Sequence, residues 1–126
     1  MDRIRAVMVC VTVQKMCERL IRFGKTIAER EAASLLVVHV CKNDQLFLGN
    51  PAEGEAPDYL FRVSKEYGGE MAVLRAEDIP RAVARYAGEH GAGTLVLGES
   101  PEKGSNPFFD AMCALLPDAR IEVVEA

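Results

Sequence analysis

The run from Arg5 to Val13 (Arg-Ala-Val-Met-Val-Cys-Val-Thr-Val) is rich in β-branched residues and apolar at odd and even positions alike. A strand with one wet face alternates apolar with polar residues. A run that is apolar on both faces belongs in the middle of a parallel sheet, covered on two sides. This feature requires helices above and below the sheet, and the following residues supply the first. Met16, Leu20, Phe23 and Ile27 recur at helical spacing, with Arg19, Arg22, Lys25 and Glu29 off the stripe.

The alternation then continues to the end of the chain. Ser34 to Cys41 reads as a second buried strand, and Lys42 to Pro57 as a long loop rich in turn residues. A short helix starts at Pro57-Asp58, carries Leu60, Val63 and Tyr67 in register, and stops at Gly68-Gly69. Glu70 to Arg75 is a third strand. Asp78 is placed to cap a helix with Pro80 in its first turn, an Ile79, Val83, Tyr86 and Ala87 stripe, and Gly91 at its end. Thr94 to Gly98 is a fourth strand, Phe108 to Leu116 a last helix closed by Pro117, and Arg120 to Val124 a fifth strand. Glu122 gives that last strand a face or edge that meets water. Five strands alternating with four helices specify an α/β fold, a parallel sheet with right-handed crossovers and helices on both faces.

At 126 residues the chain is expected to form one domain, residues 1–126. Apolar runs such as Leu35-Leu36-Val37-Val38 are too short to cross a bilayer, and Met1-Asp2-Arg3-Ile4-Arg5 leads straight into a strand pattern without a signal peptide. A cytoplasmic location without membrane insertion is therefore expected. The net charge of −4 argues against a nucleic-acid partner. It divides into +4 over residues 1–42 and −8 over the remainder, so the first helix has a basic face, read as a solvated surface. Cys10, Cys17, Cys41 and Cys113 have no paired spacing. Cys10, Cys41 and Cys113 lie within apolar runs and read as reduced thiols filling the core. No zinc pattern is present, and no carboxylate cluster at the strand ends suits magnesium.

Ligands of open parallel sheets sit past the carboxyl ends of the strands, where the winding reverses. With strands one and four as neighbours there, Thr12-Val13-Gln14-Lys15 faces the loop Gly98 to Asn106. That loop opens onto a helix, and N–H groups of Gly104, Ser105 and Asn106, with Lys103 and Lys15 for charge, make it a candidate phosphate cradle. An ordinary βα loop with a Ser/Asn cap and Pro107 at the first helical position explains the same residues. It is not a Walker loop, because Ser105 follows Gly104 where lysine is required. His39 and Cys41 share a strand face but lack two further metal ligands, so His39 reads as a satisfied core or rim histidine. No catalytic residue is assigned.

The chain resembles the universal stress protein superfamily, and more narrowly the stress-protein-like domain of Kdp-type potassium-sensor kinases. The resemblance runs from Arg5 to Val124. It rests on Val9-Cys10-Val11-Thr12, Glu18-Arg19-Leu20-Ile21-Arg22, Val37-Val38-His39-Val40, Asp78-Ile79-Pro80-Arg81-Ala82-Val83 and Leu95-Val96-Leu97-Gly98. It implies strand order 3-2-1-4-5 and a non-catalytic regulatory or stress-response role. It further implies a site for ATP, AMP or a cyclic dinucleotide between Thr12, Val13, Lys15, Val40-Cys41, Gly98, Lys103, Gly104, Ser105 and Asn106. ATP-binding members carry G-x-x-G, nine residues, then G-[ST] after strand four. Here Gly98 matches the first glycine, Pro101 stands at the second, and Gly104-Ser105 ends a shortened loop. Those members also place an aspartate after strand one, where this chain has Thr12-Val13-Gln14. The shorter loop suits the Kdp-type subgroup. Its alternative role is a protein-interaction module without nucleotide, docking to a kinase or transporter. The resemblance also implies a homodimer through strand five (residues 120–124).

Overall fold

A computed structural model describes residues 6–11, 17–41, 55–98 and 107–124. The elements follow the expected alternation: β1 (Ala6–Val11), α1 (Cys17–Glu31), β2 (Ser34–Cys41), α2 (Glu55–Glu66), β3 (Glu70–Arg75), α3 (Ile79–Glu89), β4 (Ala92–Gly98), α4 (Pro107–Leu115) and β5 (Arg120–Val124). The strands form one sheet in the order β3-β2-β1-β4-β5, and every pair is parallel. All six residues of β1 are buried, as a strand apolar on both faces requires.

The period-two alternation of β1 divides the core into two layers. Val7, Val9 and Val11 pack with Leu20, Ile21, Ile27, Ala28, Leu60 and Val63 beneath α1 and α2. Ala6, Met8 and Cys10 pack with Val38, Val40, Val83, Ala87, Leu95 and Met112 beneath α3 and α4. The helices thus lie on both faces, two to a side.

Three local expectations shift. The buried stripe of α1 is Leu20, Ile21, Gly24, Ile27 and Ala28, whereas Phe23 is 39% exposed. The helix lies so close to the sheet at Gly24, against Val9 and Leu35, that the bulky Phe23 is turned to the flank. Helix α2 begins at Glu55, two residues before Pro57. Proline is tolerated there because first-turn N–H groups have no helical acceptor. Strand β4 begins at Ala92 rather than Thr94, since Ala92 pairs with Ala6 across an irregularity at Gly93. Asp78 caps α3 as expected, accepting from the Arg81 N–H at 3.3 Å. Gly91 follows that helix at φ 66°, a left-handed turn suited to glycine.

Candidate functional site

Because the sheet is parallel, the carboxyl ends of all five strands share one edge: Val11, Cys41, Arg75, Gly98 and Val124. The winding runs from β1 outward to β3, then crosses back to place β4 on the other side of β1. The crevice therefore opens between β1 and β4. Their ladder ends at Val9 and Val96, while β1 continues to Val11 and β4 to Gly98.

Of the residues singled out from sequence, Val40 and Gly98 fall on this edge, on strands that flank β1. Val40 is buried toward α3 and α4, and Gly98 is half-buried beside Val124. Thr12, Val13, Lys15, Lys103, Gly104, Ser105 and Asn106 lie outside the described residues.

His39 stands at the same edge, opposite Val11 in the β1–β2 register. It is 2% exposed, and its Nδ1 lies 2.8 Å from the Val11 carbonyl oxygen. A carbonyl can only accept, so Nδ1 carries the proton and donates. Burial pushes the imidazole below its usual range, the bond to Val11 opposes this, and the charge of Arg75 adds to the lowering. His39 is thus a neutral, hydrogen-bonded core histidine, as read from sequence. Arg75 is a contributor that sequence reasoning passed over. Its position two residues beyond the partner of His39 emerges only from the β2–β3 register.

The thiols divide. Cys10 is 5% exposed, faces α3 and α4, and is pushed up to about 12 by burial, so it acts as a small hydrophobe rather than a nucleophile. Cys113, expected in the core, is exposed on α4. Met112 takes the inward position of that helix and turns its neighbour outward. Among the described residues no group of three His, Cys, Asp or Glu side chains could hold a metal ion, and no helix is long and apolar enough to cross a membrane.

Other concavities among the described residues lie away from the crevice. A groove of about 670 Å³ runs between α1 and β5, with Arg19, Arg22, Phe23 and Val123 in its walls. A cleft of about 450 Å³ sits at the opposite, amino-terminal edge of the sheet, beside Lys25, Glu29, Glu70 and His90.

Comparison with known proteins agrees with the fold. No model of a known protein family matches the chain. It is 33% identical over 107 residues to the sensor protein KdpD of Mycobacterium tuberculosis, covering 82% of this chain and 12% of that protein. Against the sensor protein KdpD of Escherichia coli K12 the identity is 27% over 116 residues, covering 90% of this chain and 13% of that protein. The chain thus spans 12–13% of the length of these curated relatives. Among solved structures, the universal stress protein of Archaeoglobus fulgidus in complex with dAMP superposes with a TM-score of 0.64 at 17% identity, covering 98% of both chains. A universal stress protein in complex with cAMP gives a TM-score of 0.63 at 13% identity, covering 99% of this chain and 98% of the other.

Proposed function

From the universal stress protein fold and a sequence shared with a stretch of KdpD sensor proteins, we propose that this chain is a non-catalytic regulatory domain that binds an adenine nucleotide. The site lies at the mouth of the β1–β4 crevice, where Val40 and Gly98 flank the end of β1, and it draws on residues 12–15 and 103–106, which follow β1 and precede α4 in the sequence. The observation that carries this reading is the reversal of winding at β1 and β4. It occurs at the topological position where parallel sheets hold ligands, in a fold whose solved relatives include complexes with dAMP and cAMP. Lys15, Lys103 and the N–H groups of Gly104, Ser105 and Asn106 would meet the phosphates. The domain acts in the cytoplasm and changes its protein contacts when the ligand is present.

Calorimetric titration with ATP, AMP and cyclic di-AMP tests it. Micromolar binding that Lys15→Ala and Gly104→Asp both weaken is expected. Absence of binding at millimolar ligand would overturn it.

A second reading is favoured by the sensor-protein relatives and by the open edge of β5. In it the domain is an interaction module that contacts a kinase or transporter without nucleotide and pairs with its own copy through residues 120–124. Mass spectrometry of ligands retained through purification separates the two, since the interaction module carries none.

A further inference from the structure

We propose that the cleft at the amino-terminal edge of the sheet binds a small zwitterion of the free α-amino acid class. This edge is opposite the β1–β4 crevice, so the inference does not depend on the nucleotide reading. The cleft's volume of about 450 Å³ lies within the range of roughly 300–1,000 Å³ usual for small-molecule sites. Ala28, Leu35 and Leu36, all buried, give it an apolar lining. Three charged side chains share that lining, the ammonium of Lys25 and the carboxylates of Glu29 and Glu70. None of the three makes an ion pair or a side-chain hydrogen bond among the described residues. Lys25 and Glu29 stand four residues apart on α1, a spacing at which opposite charges meet on a helix surface. Lys25 Nζ lies instead against the turn that follows α2, where a Cβ on Gly68 would be 3.4 Å from it. Gly68 has φ 74° and no side chain, so that turn gives the half-buried ammonium no charged partner.

The negative side of the cleft adjoins α3. Burial raises the Tyr86 phenol above its ordinary value, and the nearby Glu70 charge adds to this. Tyr86 stacks on His90 with ring centroids 3.9 Å apart, and His90 Nδ1 donates to the Tyr86 carbonyl at 2.9 Å. The neutral imidazole therefore keeps Nε2 as an acceptor, and His90 lines the cleft. A lone anion here meets the repulsion of two carboxylates, and a lone cation meets that of Lys25. A molecule carrying both charges on a short frame satisfies both signs at once. Its carboxylate pairs with Lys25, its ammonium with Glu29 and Glu70, and an aliphatic side chain rests on Ala28, Leu35 and Leu36.

The test is calorimetric titration of the whole chain with L-leucine, N-acetyl-L-leucine and L-leucine methyl ester. The acetyl compound lacks the ammonium and the ester lacks the carboxylate. Leucine is expected to bind with a Kd of about 1 mM or tighter, and each capped compound about tenfold more weakly. Lys25→Met should weaken leucine about tenfold and leave the ester unchanged, while Glu70→Gln should weaken leucine and leave the acetyl compound unchanged. Absence of leucine binding at about 10 mM, or equal affinity for leucine and its capped forms, overturns the inference. So does an equal loss with all three compounds in either variant. A melting curve identifies a variant that fails to fold, in which case the three compounds on the wild type decide. Backbone amide signals followed by NMR locate the ligand. Leucine should shift those of Ser34, Gly68 and Glu70 and leave that of Gly98, at the opposite edge, unmoved. The reverse pattern overturns the inference.

Discussion

Two side chains at adjacent positions of the sheet show how burial sets chemistry. Cys10 lies one residue before Val11 on the layer facing α3 and α4, and burial pushes its thiol up to about 12. At pH 8 the thiolate fraction is then on the order of 10⁻⁴, so Cys10 should resist a disulfide reagent until the protein unfolds, whereas exposed Cys113 reacts at once. Peptide mapping of the labelled native protein checks this, and early modification of Cys10 would contradict it. His39, on the other layer, is held below its ordinary value of 6.5 by burial, with Arg75 adding to the effect. The native state therefore binds fewer protons than the unfolded chain in the range just under that value. Stability is complete above it and falls as the pH drops through the window toward the lowered value. Thermal melts should show this loss in wild type, and His39→Asn should flatten it. A lone histidine in an aliphatic strand was legible from sequence as a core group. Its tie to Val11 was not, because the β1–β2 register decides which carbonyl it meets.

At the scale of elements, α1 offers two substitutions of opposite sign. Gly24 lies where the helix presses on the sheet, and a Cβ there would run into the Val9 side chain and sit 3.3 Å from Leu35 Cδ1. Alanine gains about 1 kcal/mol of helix propensity over glycine. Overpacking against a fully buried, branched valine costs about 1–3 kcal/mol, so Gly24→Ala should destabilise the fold. Ala32 ends the same helix at φ 53°, a left-handed conformation that glycine adopts more readily, while Ala33 N–H closes the turn onto the Ala28 carbonyl at 2.8 Å. Ala32→Gly should therefore stabilise by about 0.5–1 kcal/mol despite the freer unfolded chain. Urea unfolding of both variants reads the two signs, and agreement in sign between them would refute the argument. Strands β2, β3 and β5 were legible to the residue, because runs of branched apolar residues between turn signals have few alternatives. The stripe of α1 was not. Spacing alone admitted Phe23, and only the close approach at Gly24 assigns it to the flank.

For the whole molecule, the alternation of elements made the parallel α/β class legible, and resemblance supplied the strand order that one sequence alone does not dictate. Of the proposed site, only Val40 and Gly98 fall among the described residues, on the carboxyl edge that the strand order dictates, while the other residues singled out from sequence lie outside them. Among the described residues, that same order leaves two strand edges, β3 and β5, each bonded on one side only. Both carry a valine that is 39% exposed, Val73 and Val123. Their surroundings differ. Val123 borders the groove where Phe23 is also 39% exposed and where Arg19 and Arg22 make no ion pair among the described residues. Glu122, which could block an edge by its charge, is bound by Arg120, and Arg120 reaches Glu31 at 3.7 Å. With that carboxylate paired, the proposed homodimer would use the β5 edge and bury Val123 and Phe23 together. Val123→Lys should convert a dimer to a monomer in size-exclusion chromatography with light scattering, leaving the circular dichroism spectrum unchanged. Val73→Lys, an equal change on the other edge, should leave the dimer intact. A monomeric wild type would rule out the proposed homodimer, and a dimer broken by Val73→Lys instead would move self-association to the β3 edge.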